Sequence, residues 1–100
     1  MLHWHLVNRN DPQSLHVVSA STQAQHLLGN RLPVGARMLD LFPDVQFTGA
    51  YRPYAQVALH GDTTYVFPDI IARLNGRQYT FKQHARFAEP NDVIVSFTRV

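Results

Sequence analysis

His3 and His5 are separated by one residue, a spacing that puts two imidazoles on the same face of a β-strand, and His16 on a neighbouring strand could join them as nitrogen ligands to a transition metal. No Cys occurs in the chain and no carboxylate recurs at ligand spacing from these histidines, so no metal site is expected. The carboxylates Asp11, Asp40, Asp44, Asp62, Asp69, Glu89 and Asp92 fall mostly beside turn residues, where accepting local backbone N–H groups is their routine role. No pair of them reads as a general acid and base, and no catalytic residue is expected. Tyr79 and Phe81 beside Lys82 and Arg86 have the makings of a base-stacking platform. Strand alternation sends those aromatics and cations to opposite faces, so nucleic acid is not the expected partner.

The elements that must position these residues are short. The chain of 100 residues is 45% apolar and 11% aromatic, enough for one domain spanning 1–100 with its own core. Nine Lys and Arg against seven Asp and Glu give a formal charge of +2, scattered singly, which selects no partner class. No apolar run approaches the roughly 18–20 residues that cross a bilayer, and MLHWHLVNRN lacks the layout of a secretory leader, so no membrane contact and a cytoplasmic setting are expected.

A first strand is expected over His3 to Val7 and a second over Leu15 to Ser19, separated by the breaker cluster Asn8 to Pro12. Ser21 can cap a helix from about Thr22 to Leu28, whose Ala24, Leu27 and Leu28 share a face and which Gly29 ends. Leu32-Pro33 and Phe42-Pro43 limit the next stretch to one or two helical turns around Met38 to Phe42, with Asp40 facing solvent. A helix from Tyr51 to His60 tolerates Pro53 in its first turn, buries Tyr51, Tyr54, Val57 and Ala58, and closes at Gly61 and Asp62.

The periodicity then becomes two. Tyr65 to Leu74 reads as a strand that Pro68 confines to an edge, joined through a type I′ turn at Asn75-Gly76 to a strand with Tyr79, Phe81, Gln83, Ala85 and Phe87 on one face. After the turn Glu89 to Asp92, Val93, Val95 and Phe97 alternate along the last strand. The order is α+β, with helices on one face of an antiparallel sheet.

The succession Val17, Val18, Ala20, Ser21, Leu27-Leu28-Gly29, then Gly35, Met38 to Pro43, His60-Gly61, Asn75-Gly76-Arg77 and Val93 to Thr98 resembles a PAS domain, the sensory module of bacterial signalling proteins. Ser21 stands where Asn is usual, and Arg99 stands where the last strand commonly carries Asp. The resemblance implies a five-stranded antiparallel sheet of order 2-1-5-4-3, roofed by the short helices around a small cavity. It implies a non-catalytic sensing, ligand-binding and pairing role beside a covalently linked or partner effector such as a kinase, a cyclic-dinucleotide enzyme or a transcription regulator. The rival class is a cone-shaped α+β enzyme or binding protein of the steroid-isomerase or nuclear-transport-factor type, which needs a buried acid or His in the cone.

Such modules bind flavin, haem, small acids or nothing. Flavin photochemistry through a cysteinyl adduct is excluded because the chain has no thiol. The family's haem sensors make His60 the candidate axial ligand, although its place beside Gly61 fits a solvent-facing, carbonyl-capping role better. No cofactor is therefore expected. Candidate cavity-lining residues are Leu39, Phe42, Tyr51, Tyr54, Ala58, Tyr79, Phe81 and Phe97, each of which serves equally well as ordinary core. Arg52, Arg77 and Gln83 are candidate polar handles for an acidic head group, with solvation the ordinary role of the arginines. On the outer sheet face, Trp4 or Leu6 together with Ile94 would stand in water, and the first strand begins too near Met1 for a preceding helix to cover them. Pairing of two copies through that face is expected.

Overall fold

The computed structural model describes residues 1–28, 32–49, 51–60, 64–74 and 76–100, with residues 64–70 and 72–74 described by their backbone. Five strands are described, β1 (Leu2–Leu6), β2 (Leu15–Ala20), β3 (Thr64–Leu74), β4 (Arg77–Phe87) and β5 (Asp92–Arg99). They form one antiparallel sheet in the order β2-β1-β5-β4-β3. Four short helices, α1 (Thr22–Leu28), α2 (Met38–Leu41), α3 (Val45–Thr48) and α4 (Tyr51–Leu59), lie between β2 and β3 in the chain. The α+β class with a few short helices on an antiparallel sheet is what the patterning predicts. Among the described residues no helix is long and apolar enough to cross a membrane.

Side-chain parity decides which face of the sheet the helices cover. Leu2, Trp4 and Leu6 of β1, Leu15 and Val17 of β2, and Val93 and Val95 of β5 are all buried on one side. Trp4 sits in register with Val17 on one neighbour and Val93 on the other, so three apolar side chains meet across the middle of the sheet. This corrects the expectation that Trp4 or Leu6 stands on the outer face. His3 and His5 take the outward parity of β1, and full burial of Leu6, worth about 1.5–3 kcal/mol, holds the strand that way up.

The helices complete the core. Ser21 Oγ accepts the Ala24 backbone N–H at 3.1 Å, the cap its position predicts, and also a bond from the N-terminal ammonium at 2.7 Å. That start angle buries Ala24 and Leu27. Segment Gly35 to Arg37 then runs beside β2, with Val17 N donating to Ala36 O and Gly35 N to Val17 O, and so covers the sheet edge before α2 turns Met38 inward. Gly35 has φ +87°, a conformation that favours glycine. Asp40 points into solvent as expected, and α3 adds a helical turn that the breaker-rich sequence does not announce.

On α4, Tyr51, Ala55 and Ala58 follow the i, i+4, i+7 spacing of one buried stripe, with Val57 beside it and Tyr54 half-buried at its margin. The helix packs against β4 and β5. In β4, Phe81 and Ala85 are buried while Lys82 and Arg86 are exposed, the two-residue alternation the sequence displays. β3 is an edge strand whose pairing with β4 is irregular between Phe67 and Ile70, the stretch holding Pro68. Gly76 has φ +77°, as a tight hairpin needs. The expected stops at Gly29 and at Gly61-Asp62, and Asn75 of the hairpin, lie outside the described residues.

Candidate functional site

Where α1, α2, α3 and α4 meet the sheet, their short lengths and frequent breaks leave a pocket of about 430 Å³. Its floor is Leu2 and Trp4 of β1 with Gln83 of β4. Leu28 at the end of α1 and Met38 and Leu41 of α2 form one wall. Phe42, Pro43, Asp44 and Val45 run along the mouth, and Tyr54 of α4 closes the opposite side. The lining is mostly carbon, as in pockets that hold small organic molecules.

Tyr54 and Gln83 form a polar pair in that lining. Tyr54 O–H donates to Gln83 Oε1 at 3.2 Å, joining the margin of α4 to the inward face of β4. Burial pushes the Tyr54 phenol well above its ordinary pKa, so it stays protonated and keeps donating across the neutral range. Gln83 shares its strand face with the buried Phe81 and Ala85, so its carboxamide is held among apolar neighbours. With Oε1 accepting from Tyr54, the two N–H donors of Nε2 are directed elsewhere. Asp44 is exposed at the mouth, where its backbone opens α3 and its side chain makes no capping bond.

Of the residues singled out in the sequence, Phe42, Tyr54 and Gln83 come together here. Tyr51 and Ala58 are buried in the main core, and Leu39 packs against it without lining the pocket. Tyr79, Phe81 and Phe97 gather with Leu27 in a second apolar cluster farther along the sheet. Arg52 is exposed, with its guanidinium carbon 5.9 Å from the Tyr51 ring centre, and Arg77 is exposed at the start of β4. Neither arginine is among the described residues that line this pocket. His60 is exposed at the end of α4, its N–H donating to Gln56 O, and it does not line the pocket either. A haem ligated by His60 would therefore lie outside this cavity. Leu2, Trp4, Leu28, Met38, Leu41, Pro43, Asp44 and Val45 are lining residues that the sequence reading did not assign to the cavity. The shared parity of Leu2, Trp4 and Leu6 against His3 and His5 is the signal that could have found the first two.

A second polar arrangement sits on the outer face. β1 and β5 pair so that His5 lies opposite Asp92, and the Asp92 carboxylate bonds both to His3 Nε2 at 3.0 Å and to His5 Nδ1. The sequence offers no carboxylate near these histidines; strand pairing brings one from the far end of the chain. Burial alone would raise the Asp92 carboxyl, but the hydrogen bonds from His5 and His3 outweigh it and hold the group below its usual value. His16 meets His5 edge to face with ring centres 5.6 Å apart. Among the described residues no group of three or more His, Cys, Asp or Glu is placed to hold a metal ion.

At the end of β5, Arg99 lies with its guanidinium carbon 4.5 Å from the Tyr79 ring centre, a cation–π contact. Set against protein-family models, curated proteins and solved structures, the chain matches none of them.

Proposed function

We propose that this domain is a PAS-type sensory or interaction module that binds a small, mostly apolar molecule between its sheet and its short helices without transforming it, and passes the occupancy to an effector. The observation that carries this reading is the pocket of about 430 Å³ with its mostly apolar lining and the hydrogen-bonded pair Tyr54–Gln83. The strand adjacency β2-β1-β5-β4-β3, with all the described helices inserted between β2 and β3, supports the PAS comparison. The only carboxylate in the described lining is Asp44, exposed at the mouth, which favours binding over the cone-shaped enzyme alternative. A cytoplasmic signalling chain is the setting proposed for it.

Pairing of two copies through the outer sheet face rests on less than the sequence suggests. Trp4 and Leu6 face the core, which leaves Val18, Ile71 and Ile94 among histidines and cations. Native mass spectrometry of the purified protein tests both halves of the proposal. A small added mass that disappears in a Val45→Trp variant, which fills the mouth, supports ligand binding, and a doubled mass supports pairing. If the wild type takes up none of a panel of apolar fragments while remaining folded, the binding role is wrong.

A further inference from the structure

Among the described lining residues, the Gln83 carboxamide has unspent hydrogen-bonding capacity, and its orientation is set by Tyr54. Tyr54, held as a neutral phenol by burial, donates to Oε1, which turns Nε2 and its two N–H donors away from α4. No hydrogen-bond acceptor among the described residues takes them. Around this amide the floor and walls are carbon from Leu2, Trp4, Met38 and Leu41. Among the described lining residues the charged one is Asp44, which is exposed.

Each of these facts selects against a different kind of ligand. A carboxylate or phosphate would enter past Asp44 and find, among the described lining residues, no Lys, Arg or His to offset its desolvation, and an unpaired anion in an apolar site is strongly disfavoured. A pure hydrocarbon would fill the volume but offer no acceptor to Gln83 Nε2. A ligand with one uncharged acceptor satisfies the amide and loses little on leaving water.

We infer that the pocket selects an uncharged, largely apolar molecule that presents one hydrogen-bond acceptor, a carbonyl oxygen or a ring nitrogen, to Gln83 Nε2. This rests on the ligand-binding reading above and narrows its chemistry, replacing the acidic head group that Arg52 and Arg77 suggested.

The single tryptophan of the chain, Trp4, lies in the pocket floor, so its indole N–H resonance reports occupancy of this site. Acetylnaphthalene, ethylnaphthalene and naphthoate share a ring system and differ in the group offered to Gln83. Titrated into the intact chain, the ketone is expected to shift the indole resonance saturably and to bind about five- to tenfold more tightly than the hydrocarbon, the range of one net hydrogen bond, with naphthoate weakest. Gln83→Glu keeps the acceptor for Tyr54 but removes the amide donors, and is expected to bring ketone and hydrocarbon to within about twofold of each other. Gln83→Leu gives the same levelling if the glutamate variant is poorly folded. Equal binding of ketone and hydrocarbon to the wild type, or tighter binding of naphthoate, overturns the selectivity while leaving a ligand pocket in place. If none of the three moves the resonance, the ligand-binding reading fails together with the selectivity.

Discussion

Asp92→Asn is the perturbation that most directly tests how the two central strands are joined. In the native protein one carboxylate accepts hydrogen bonds from His3 and His5, and its own backbone is fixed independently, with its N–H donating to Glu89 O at 2.8 Å. The substitution therefore leaves the turn intact. The amide keeps one acceptor oxygen and turns an NH₂ group toward the other imidazole, so about one bond to a charged acceptor is lost. Such bonds contribute about 1.5–3 kcal/mol, and the side-chain exposures of 24% for His3 and 37% for His5 let water replace part of this. A loss of about 1.5–2 kcal/mol at neutral pH is expected, which lowers Tm by roughly 6–16 °C for a domain of this size. The pH dependence supplies the sign. Because the folded carboxyl titrates below the usual value of 3.8, its contribution is complete above that value and disappears as the pH falls through the folded pKa. Thermal and urea unfolding of wild type and variant should thus differ at neutral pH and converge in strong acid. A neutral-pH difference inside the roughly 0.5 kcal/mol typical of surface substitutions, or a gap that persists unchanged in acid, would refute the shared-carboxylate account.

Three further outcomes follow from the same geometry. Leu6→Ala, at a fully buried site on a central strand, should cost about 2–5 kcal/mol in urea unfolding, which is enough to leave little folded protein if the domain is of ordinary stability. Ser21→Ala removes both the α1 cap and the bond from the N-terminal ammonium, and should lower stability by about 1 kcal/mol with a matching loss of amide protection confined to the first turn of α1. In an alkaline absorbance titration, a late tyrosine ionisation should appear in the wild type and vanish in Tyr54→Phe.

Elements were legible where local pattern and burial agree. The alternation in β4 and β5 and the Ser21 cap of α1 are written in neighbouring residues, and the structure carries each of them. α3 was hidden because Val45 to Thr48 is four residues between Pro43-Asp44 and Gly49, too short for any helical period to show, and Phe47 on it is 84% exposed. The outer-face cluster was hidden for the opposite reason. His3, His5 and Asp92 meet only because β1 pairs with β5, a contact between the two ends of the chain that no local spacing records.

The pocket was half legible, and the division has a geometric cause. Tyr79, Phe81 and Gln83 share one face of β4 and look equivalent in sequence, yet a strand rises about 3.3 Å per residue, so Tyr79 and Gln83 stand roughly 13 Å apart along an 11-residue strand. One face of a long strand therefore serves two sites. Gln83 falls under the α4 margin, opposite Tyr54, while Tyr79 and Phe81 fall beyond it against Leu27, Phe97 and Arg99. Parity tells which face a residue takes, but only the position of the helices along the sheet tells which neighbours it meets there. The same reasoning turns Gln83 into the informative residue of the row. Flanked on its face by Phe81 and Ala85, an amide there breaks the apolar pattern, and the structure answers the break with Tyr54 on one side and a cavity on the other.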